Sequence, residues 1–487
     1  MDLNSREIIR IIGVIFQVMG AALTLPLAVG FIYHEIPSIQ AFAVVLLPSI
    51  LIGGIIRQIA PPSNKPLKVR DGVLIVSISW IIAAIIGSIP FILSGAIPNP
   101  IDAIFETCSG FSTTGASILS DIESLPKSIL FWRSFTHWLG GMGILVFAVA
   151  LLPTLGISGQ MIVMAETPGP ELSKLTPRIS DTARQLYIMY FSFTIIETIL
   201  LMLGGMNFYD ALTHTFSTVG TGGFSTYNNS IAHFDSAYIE GVITVFMLLS
   251  GVNFNLYFIL LRNGFKAFIK DGELKFYLCI VALTMVLITI GLVGSGNISD
   301  PFEAFRYASF QQASIITTTG FMSYDYALWP TFCQMILFLL FFVGGCSSST
   351  GGGIKVIRVL VVFKLIKRSV ALRLHPNAVV NVKINNNVLP RATVANVSNF
   401  IFLYLGILLF GGFIISLDGY NMITSLSATA SCLGNIGPGF DAIGPTVNYS
   451  IFSDLTKSML SLLMIAGRLE LFTLFMLFAP RFWNPNK

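Results

Sequence analysis

Four short loops of this 487-residue chain each centre on a glycine among small or hydroxyl-bearing residues, and none contains a carboxylate. Glycine permits backbone conformations that turn successive carbonyl oxygens toward one axis. Such carbonyls can replace the water shell of a dehydrated monovalent cation, whereas calcium-type filters use rings of acidic side chains. The loops therefore predict a cation filter made of neutral oxygens. They are FSTTGAS (111–117), FSTVGTGGF (216–224), ITTTGF (316–321) and CLGNIGPGF (432–440).

Aligning one glycine from each loop predicts which residues line the filter. A single loop of this type is typical of small-residue helix packing, but four at a regular period are not. Asn435 and Pro438 depart from the other loops, so we expect an asymmetric filter. The predicted potassium-binding positions are Thr113, Thr114, Gly115, Thr218, Val219, Gly220, Thr318, Thr319, Gly320, Asn435, Ile436 and Gly437.

The elements that carry these loops are apolar enough to cross a lipid bilayer. The chain is 54% hydrophobic and 11% charged, with a mean hydropathy of +0.79, whereas soluble domains are about a quarter charged. The first apolar run (8–33) lacks a small-residue cleavage site, so it is interpreted as a retained helix. We therefore predict an all-α polytopic membrane protein. Runs long enough to span a bilayer include 72–93, 186–204, 276–294 and 400–416.

Each loop follows a segment that is too short to span a membrane and lies between two long apolar helices. A non-helical backbone at membrane depth is tolerated only where it is buried or lines a water-filled path. We predict that these segments are pore helices, whose C-terminal dipole ends favour a cation. They are residues 101–112, 208–217, 302–315 and 420–431.

The charged residues divide between alternate connections. Of the 28 Lys and Arg residues, 23 lie in the termini and in one set of connections, and acidic residues dominate the other set. The positive-inside rule then places both termini in the cytoplasm. Carboxylates on the outer side could concentrate cations at a pore mouth. The longest basic stretch, 355–391, is either a topology determinant or a docking surface for a partner.

The segment GGCSSSTGGG (344–353) interrupts an otherwise apolar stretch from Met335 to Val362. Each glycine inside a helix costs roughly 1 kcal/mol relative to alanine, so five of them do not form a stable helix interior. The segment is either a tolerated kink or a flexible loop under the filter that obstructs permeation. The candidate gate residues are Gly344, Gly345, Cys346, Ser347, Ser348, Ser349, Thr350, Gly351, Gly352, Gly353, Lys355 and Arg468.

Two basic residues stand out within these apolar segments. Arg468 lies well inside the last long apolar helix, and an intramembrane arginine normally faces protein or water. It could bind carbonyls of the Gly-rich loop or form an electrostatic barrier to cations, and both interpretations place it at the gate. Lys355 is either cytosolic or pore-facing.

These motifs, together with HWLGGMGI (137–144) and AGRLELFT (466–473), resemble the Trk/Ktr/HKT superfamily of potassium transporters, and its TrkH/TrkG branch in particular. The resemblance covers essentially the whole chain. It implies potassium uptake across a bacterial inner membrane by four units, each a spanning helix (M1), a pore helix and a second spanning helix (M2), around a pseudo-four-fold pore. It also implies a homodimer and a cytosolic TrkA-type regulatory subunit, through which ATP/ADP or NAD(H) would act.

The resemblance also implies two extra N-terminal helices and therefore ten spanning helices in all. No cofactor of the chain itself and no nucleic-acid partner are expected. The predicted units are 1–70 for the two extra helices, 71–182, 183–270, 271–390 with the interrupted M2, and 391–487.

A rival function is a proton- or sodium-coupled symporter with alternating access. It would need buried acidic relays, and Glu197 and Glu470 are the clear mid-membrane carboxylates. An enzyme is not expected, since HExxH, GxSxG and Walker A motifs are missing from the sequence. The five cysteines and five histidines lack ligand spacing, so potassium at the filter is the only metal ion predicted.

Overall fold

A computed structural model describes residues 3–62, 67–143, 179–385 and 387–484, which are mostly helical. The basic residues Lys65, Lys174, Arg178 and Lys487 lie outside the described residues. An antiparallel hairpin, β1 Lys383–Ile384 and β2 Asn387–Val388, lies between the helices α15 and α16 listed next. The α-helices described are α1 Ser5–Ala22, α2 Thr24–Ile32, α3 Ile36–Ile59, α4 Val69–Leu93, α5 Pro100–Phe111, α6 Lys127–Gly141, α7 Ile179–Leu203, α8 Phe208–Val219, α9 Ala237–Ser250, α10 Phe254–Asn263, α11 Phe265–Ile269, α12 Gly272–Gly294, α13 Pro301–Ile316, α14 Thr331–Leu340, α15 Val356–Leu374, α16 Arg391–Ser416, α17 Met422–Gly434, α18 Asp454–Arg468, α19 Phe472–Phe475 and α20 Pro480–Trp483.

Six helical stretches among the described residues are long and apolar enough to cross a membrane. Their outward faces carry exposed apolar side chains, such as Leu47 on α3 and Phe402 on α16, as expected of surfaces that contact lipid. The predicted fold class, an all-α polytopic membrane protein, is confirmed. The boundaries of the five predicted units stay a prediction. The six stretches are Ser5–Ile32, Ile36–Ile59, Val69–Leu93, Arg184–Leu203, Gly272–Gly294 and Arg391–Ser416.

The helices that follow the second, third and fourth filter loops are broken. The pair α9 and α10 bends by 89°, and the pair that begins with α18 bends by 113°. After the third filter loop, helix α14 ends at Leu340, and the chain becomes helical again at Val356, where α15 begins. The sequence predicted only this third interruption, and the expectation of a long last helix through Arg468 was wrong. That helix ends at Arg468 because the next turn contains Glu470 and Leu471 at φ +58° and +51°, a left-handed conformation that no α-helix continues through.

The short helices α5, α8, α13 and α17 match the four predicted pore helices to within three residues at each end. Each begins with a capping side chain that accepts a backbone N–H of the first turn, which fixes where the helix starts. Their C-terminal halves are buried, and each ends directly before a filter loop. The caps are Asn99, Asn207, Asp300 and Asn421.

The N-terminal helices pack against one another and against the rest of the fold. Helices α1 and α3 approach closely at Gly13 and Gly53, where a Cβ on Gly53 would lie 2.5 Å from the Gly13 carbonyl oxygen. Such small-residue contacts are typical of helix packing in membranes. Between α2 and α3, the Glu35 carboxylate accepts the backbone N–H groups of Lys127 and Ser128 at 2.6 and 2.9 Å. Glu35 therefore caps α6, the helix that follows the first filter loop.

Candidate ion filter and gate

The four Gly-centred loops have one shared backbone conformation. In each loop, a residue in the left-handed region is followed by a residue whose φ is not positive and then by a glycine with positive φ. Three of the first residues are threonines, and a β-branched residue in this region is strained, as is common at functional sites. The left-handed pairs are Thr113 and Gly115 (φ 55° and 79°), Thr221 and Gly223 (55° and 78°), Thr318 and Gly320 (57° and 81°), and Asn435 and Gly437 (54° and 100°).

These loops close into a ring, because each glycine lies against a carbonyl of the next loop and the fourth loop returns to the first. A Cβ at each glycine would collide with that carbonyl oxygen, so only glycine allows the approach. The arrangement brings carbonyl groups from all four loops together. The distances from the added Cβ to the carbonyl oxygen are 2.0 Å for Gly115 to Gly222, 2.0 Å for Gly223 to Thr319, 2.2 Å for Gly320 to Ile436 and 2.6 Å for Gly437 to Thr114.

The predicted register of the second loop was wrong. Thr218 and Val219 lie in the last turn of α8, and Gly220 is its C-cap with φ −71°. The ring positions of this loop are instead Thr221, Gly222 and Gly223, three residues later. The other nine predicted filter residues lie in the ring, and their binding of potassium stays a prediction.

Two features of the sequence could have given the correct register. Gly115, Gly223 and Gly437 each follow the N-cap asparagine of their pore helix by 16 residues. In addition, Gly223 precedes Phe224 just as Gly320 precedes Phe321.

Asn435 joins the fourth loop to the first. Its Nδ2 donates to Thr114 Oγ1 at 3.0 Å and to the Met464 carbonyl at 2.9 Å. Asparagine tolerates the left-handed region better than threonine does, so the backbone keeps the shared conformation. The predicted asymmetry at this position therefore lies in the side chain rather than in the path of the backbone.

A buried ion pair that sequence reasoning missed stands behind the first and second loops. Glu106 accepts Arg133 Nε at 2.5 Å and the Ile118 backbone N–H at 3.0 Å, and both residues are at most 2% exposed. Arg133 Nη1 also donates to the Ser225 carbonyl at 2.9 Å, and its guanidinium lies 3.6 Å from the centre of the Phe224 ring. Charged residues inside apolar segments were the available indication, since such groups are costly unless paired.

Removing one partner of this pair is expected to destabilise the protein. Glu106→Gln leaves the buried Arg133 guanidinium without its counter-charge, which typically costs about 3–5 kcal/mol. Thermal unfolding in detergent, followed by tryptophan fluorescence, should show a lower midpoint. Glu303→Gln, which changes an exposed glutamate in the first turn of α13, is the matched control. Equal midpoints for the two variants would contradict a supporting role for the pair.

Two carboxylates in the connections that follow filter loops, Asp441 and Asp121, are held by hydrogen bonds. Asp441 accepts Asn421 Nδ2 at 2.5 Å and Thr424 Oγ1 at 2.9 Å, and these hydrogen bonds hold the pKa of Asp441 below its ordinary value. A hydrogen bond from Asn228 likewise lowers the pKa of Asp121. Both groups therefore remain negative at neutral pH, as the predicted acidic pore mouth requires.

The Gly-rich segment 344–353 lies directly against the inner end of the filter. The Gly352 N–H donates to Thr318 Oγ1 at 2.6 Å, and a Cβ on Gly352 would lie 2.7 Å from the Gly434 carbonyl oxygen. Of the two interpretations of this segment, the loop under the filter is the one that the geometry supports. Its obstruction of permeation stays a prediction.

The break between α9 and α10 supplies backbone groups to this loop. The Gly251 carbonyl accepts the Cys346 N–H at 2.8 Å, and the Phe254 N–H donates to the Ser348 carbonyl at 3.1 Å. The Ser250 carbonyl accepts Thr350 Oγ1 at 3.2 Å. A continuous helix would use these groups internally, so the break lets two non-helical segments satisfy each other inside the fold.

Arg468 links the loop to a third element. Its Nη1 donates to the Thr350 carbonyl at 2.6 Å, and its Nη2 donates to the Gly140 and Gly141 carbonyls, both at 2.7 Å. The first interpretation of Arg468, binding to loop carbonyls, is confirmed, while a barrier role stays a prediction. Lys355 is 3% exposed and donates to the Gly351 carbonyl, so it faces the loop rather than the cytosol.

Comparison with known proteins places this arrangement among cation transporters. Residues 38–484 match the TrkH family model, described as "Cation transport protein". The chain is similar to the Trk system potassium uptake protein TrkH of Halomonas elongata, with 38% identity over 99% of this chain and 100% of the relative. It is 36% identical to TrkH of Escherichia coli K12 over 99% of this chain and 100% of that relative. It is 35% identical to TrkG from the same strain over 98% of this chain and 99% of that relative. It is also similar to the crystal structure of the potassium transporter TrkH from Vibrio parahaemolyticus, with a TM-score of 0.89 and 35% identity over 99% of this chain and 100% of that one.

Proposed function

This chain belongs to the TrkH family of cation transport proteins, and on that premise we propose that it takes up potassium ions through a channel-like pore. The names of its relatives supply the ion. The closed ring of four loops is the observation that carries the pore mechanism, because it gathers backbone carbonyls from four parts of one chain.

In the proposed mechanism, carbonyl oxygens of the ring replace the water around a potassium ion. No carboxylate lies in the four loops, so each ligand is neutral and the ion is held weakly enough to move on. The four pore helices point their C-terminal ends at the ring, and their dipoles offset part of the cost of dehydration. Outer carboxylates such as Asp441 and Asp121 raise the local cation concentration at the entrance.

Beneath the ring, the loop 344–353 acts as the gate. The hydrogen bond from Gly352 to Thr318 brings the loop against the filter, and Arg468 holds the loop through Thr350. Opening would require the loop to leave these contacts. The many glycines make this possible, because they add conformational freedom to the open state.

The proposal extends to assembly and location, on the strength of the family resemblance. The protein would act as a homodimer in the inner membrane of a bacterium, with both termini in the cytoplasm. A cytosolic TrkA-type nucleotide-binding subunit would regulate it, and ATP/ADP or NAD(H) would bind to that subunit. The basic stretch 355–391 is the candidate docking surface.

A coupled symporter is the second candidate, and Glu197 favours it. This carboxyl group is fully buried on α7, facing Thr218 of the second pore helix, where a proton could be exchanged. A pore would carry ions only down their gradient. A symporter would move potassium uphill when a proton or sodium gradient is imposed.

Ion flux into proteoliposomes tests the proposed function. We expect the purified protein to admit rubidium in preference to sodium, and only down the rubidium gradient. Uphill rubidium movement driven by an imposed proton or sodium gradient would favour the symporter. Equal rubidium and sodium flux would contradict a potassium-selective filter.

A further inference from the structure

The Gly-rich loop 344–353 has further hydrogen bonds, in addition to those with the filter and with Arg468. Glu273, in the first turn of α12, accepts the backbone N–H of Ser347 with Oε1 and its hydroxyl with Oε2, both at 2.6 Å. The glutamate is 4% exposed. One side chain therefore accepts from both hydrogen-bond donors of a single loop residue.

The same end of α12 is bonded to the hairpin β1–β2. Asn385, at the turn of the hairpin, accepts the Gly272 N–H with Oδ1 and donates to Asp271 with Nδ2, both at 2.7 Å. Asp271 is the N-cap of α12, so Asn385 binds the cap and the first residue of the helix. Glu273 is the next residue in the chain, and the hairpin is therefore one residue away from the group that holds the loop.

The hairpin and the residues just before it also contact α15, the helix that follows the Gly-rich loop. Lys364 of α15 donates to the Lys383 carbonyl, and Arg368 Nε donates to the Val380 carbonyl at 2.8 Å. Ile384 of the hairpin packs with Val361 of α15. The hairpin is thus bound to both flanks of the Gly-rich loop, through α12 on one side and through α15 on the other.

We propose that Glu273 is a positioning residue for the Gly-rich loop and that the hairpin β1–β2 sets the position of Glu273, so that displacement of the hairpin releases Ser347. This inference rests on the proposed gate. It adds a route by which an event outside the pore reaches the loop. The route is short: hydrogen bonds join Asn385 to Asp271 and Gly272, one peptide bond leads to Glu273, and two hydrogen bonds join Glu273 to Ser347.

The first test is rubidium flux into proteoliposomes. Glu273→Ala removes both hydrogen bonds, and we expect about fivefold higher flux, which corresponds to a net loss of about 1 kcal/mol from the closed state. Glu273→Gln can accept the Ser347 N–H and donate to its hydroxyl, so it should stay within about twofold of the unchanged protein. Asn385→Ala should raise flux about twofold, whereas Asn387→Ala, an exposed residue of the same hairpin, should not.

The second test measures the loop itself. Cys346 is fully buried beside Ser347, so its reaction with N-ethylmaleimide requires local opening. In a background lacking the other cysteines, we expect faster labelling of Cys346 in Glu273→Ala and Asn385→Ala. Labelling in Glu273→Gln should match the unchanged protein. The background substitutions are at Cys108, Cys279, Cys333 and Cys432.

A variant lacking residues 347–350 separates the two proposals. If that deletion raises flux but Glu273→Ala changes neither flux nor labelling, the role of Glu273 is wrong and the gate stands. If the deletion leaves flux unchanged, the gate is wrong, and the labelling of Cys346 alone decides whether Glu273 positions the loop. Equal effects of Glu273→Ala and Glu273→Gln would overturn positioning by hydrogen bonds.

Discussion

Replacing Gly223 with alanine is expected to reduce rubidium flux at least about tenfold and to blur the preference over sodium. The new Cβ would lie 2.0 Å from the Thr319 carbonyl oxygen, and the residue has φ +78°. A left-handed alanine costs roughly 1–2 kcal/mol even without a collision. The Thr319 carbonyl must therefore move, and it belongs to the ring proposed to bind the ion. Rubidium and sodium flux into proteoliposomes measures the effect.

Two controls make this result specific to the register of the second loop. Gly241→Ala places a methyl group on α9 where no atom lies within 4 Å, so flux should be unchanged. Thr218→Ala removes a hydroxyl that bonds the His214 carbonyl within α8, outside the ring, and selectivity should persist. Loss of selectivity in Thr218→Ala, with normal flux in Gly223→Ala, would instead support the original alignment. Gly220→Ala is uninformative, because its Cβ would meet the His137 carbonyl oxygen at 2.6 Å.

The pore helices could be predicted from sequence because local features define them. Each has an Asn or Asp cap at its start and a glycine-containing loop after its end, and both act within a few residues. The register of the second loop is different. The segment FSTVGTGGF offers two sequences of the same type, TVG and TGG, and composition alone favours neither. The spacing from Asn207 and the following Phe224 favour Gly223, but the physical reason for this register is the contact with the Thr319 carbonyl, which is long-range and therefore not part of the local sequence.

The break between α9 and α10 is also caused by a long-range contact, so it could not be predicted from the local sequence. Residues 237–263 are apolar enough to continue through the membrane, yet the chain bends between Ser250 and Phe254. The cause is the Gly-rich loop, almost 100 residues later, whose backbone takes the groups that the bend frees. Glu106 and Arg133 were visible as charges in apolar segments, but their pairing depends on the packing of α5 against α6.

Replacing Arg468 with alanine is expected to raise downhill rubidium flux about tenfold. The substitution removes three charge-assisted hydrogen bonds, two to the end of α6 and one to the loop. Hydrogen bonds to charged groups contribute about 1.5–3 kcal/mol each. A net loss of only about 1.4 kcal/mol from the closed state is enough for a tenfold change in its equilibrium with the open state.

Arg468→Lys separates the contacts from the charge. A lysine keeps the positive charge, but its compact ammonium group lacks the planar fork that reaches Thr350 and the Gly140–Gly141 carbonyls together. Flux close to that of Arg468→Ala would identify the hydrogen bonds as the restraint. Flux close to that of the unchanged protein would identify an electrostatic barrier.

The control for both variants is Arg262→Ala, which removes an exposed arginine at the end of α10. It should leave flux unchanged. Unchanged or lower flux in an Arg468→Ala protein that elutes as a single folded species would contradict the gate. Because Arg468 bridges the helix after the first filter loop and the interrupted helix after the third, its removal tests whether elements from different parts of the chain close the pore together.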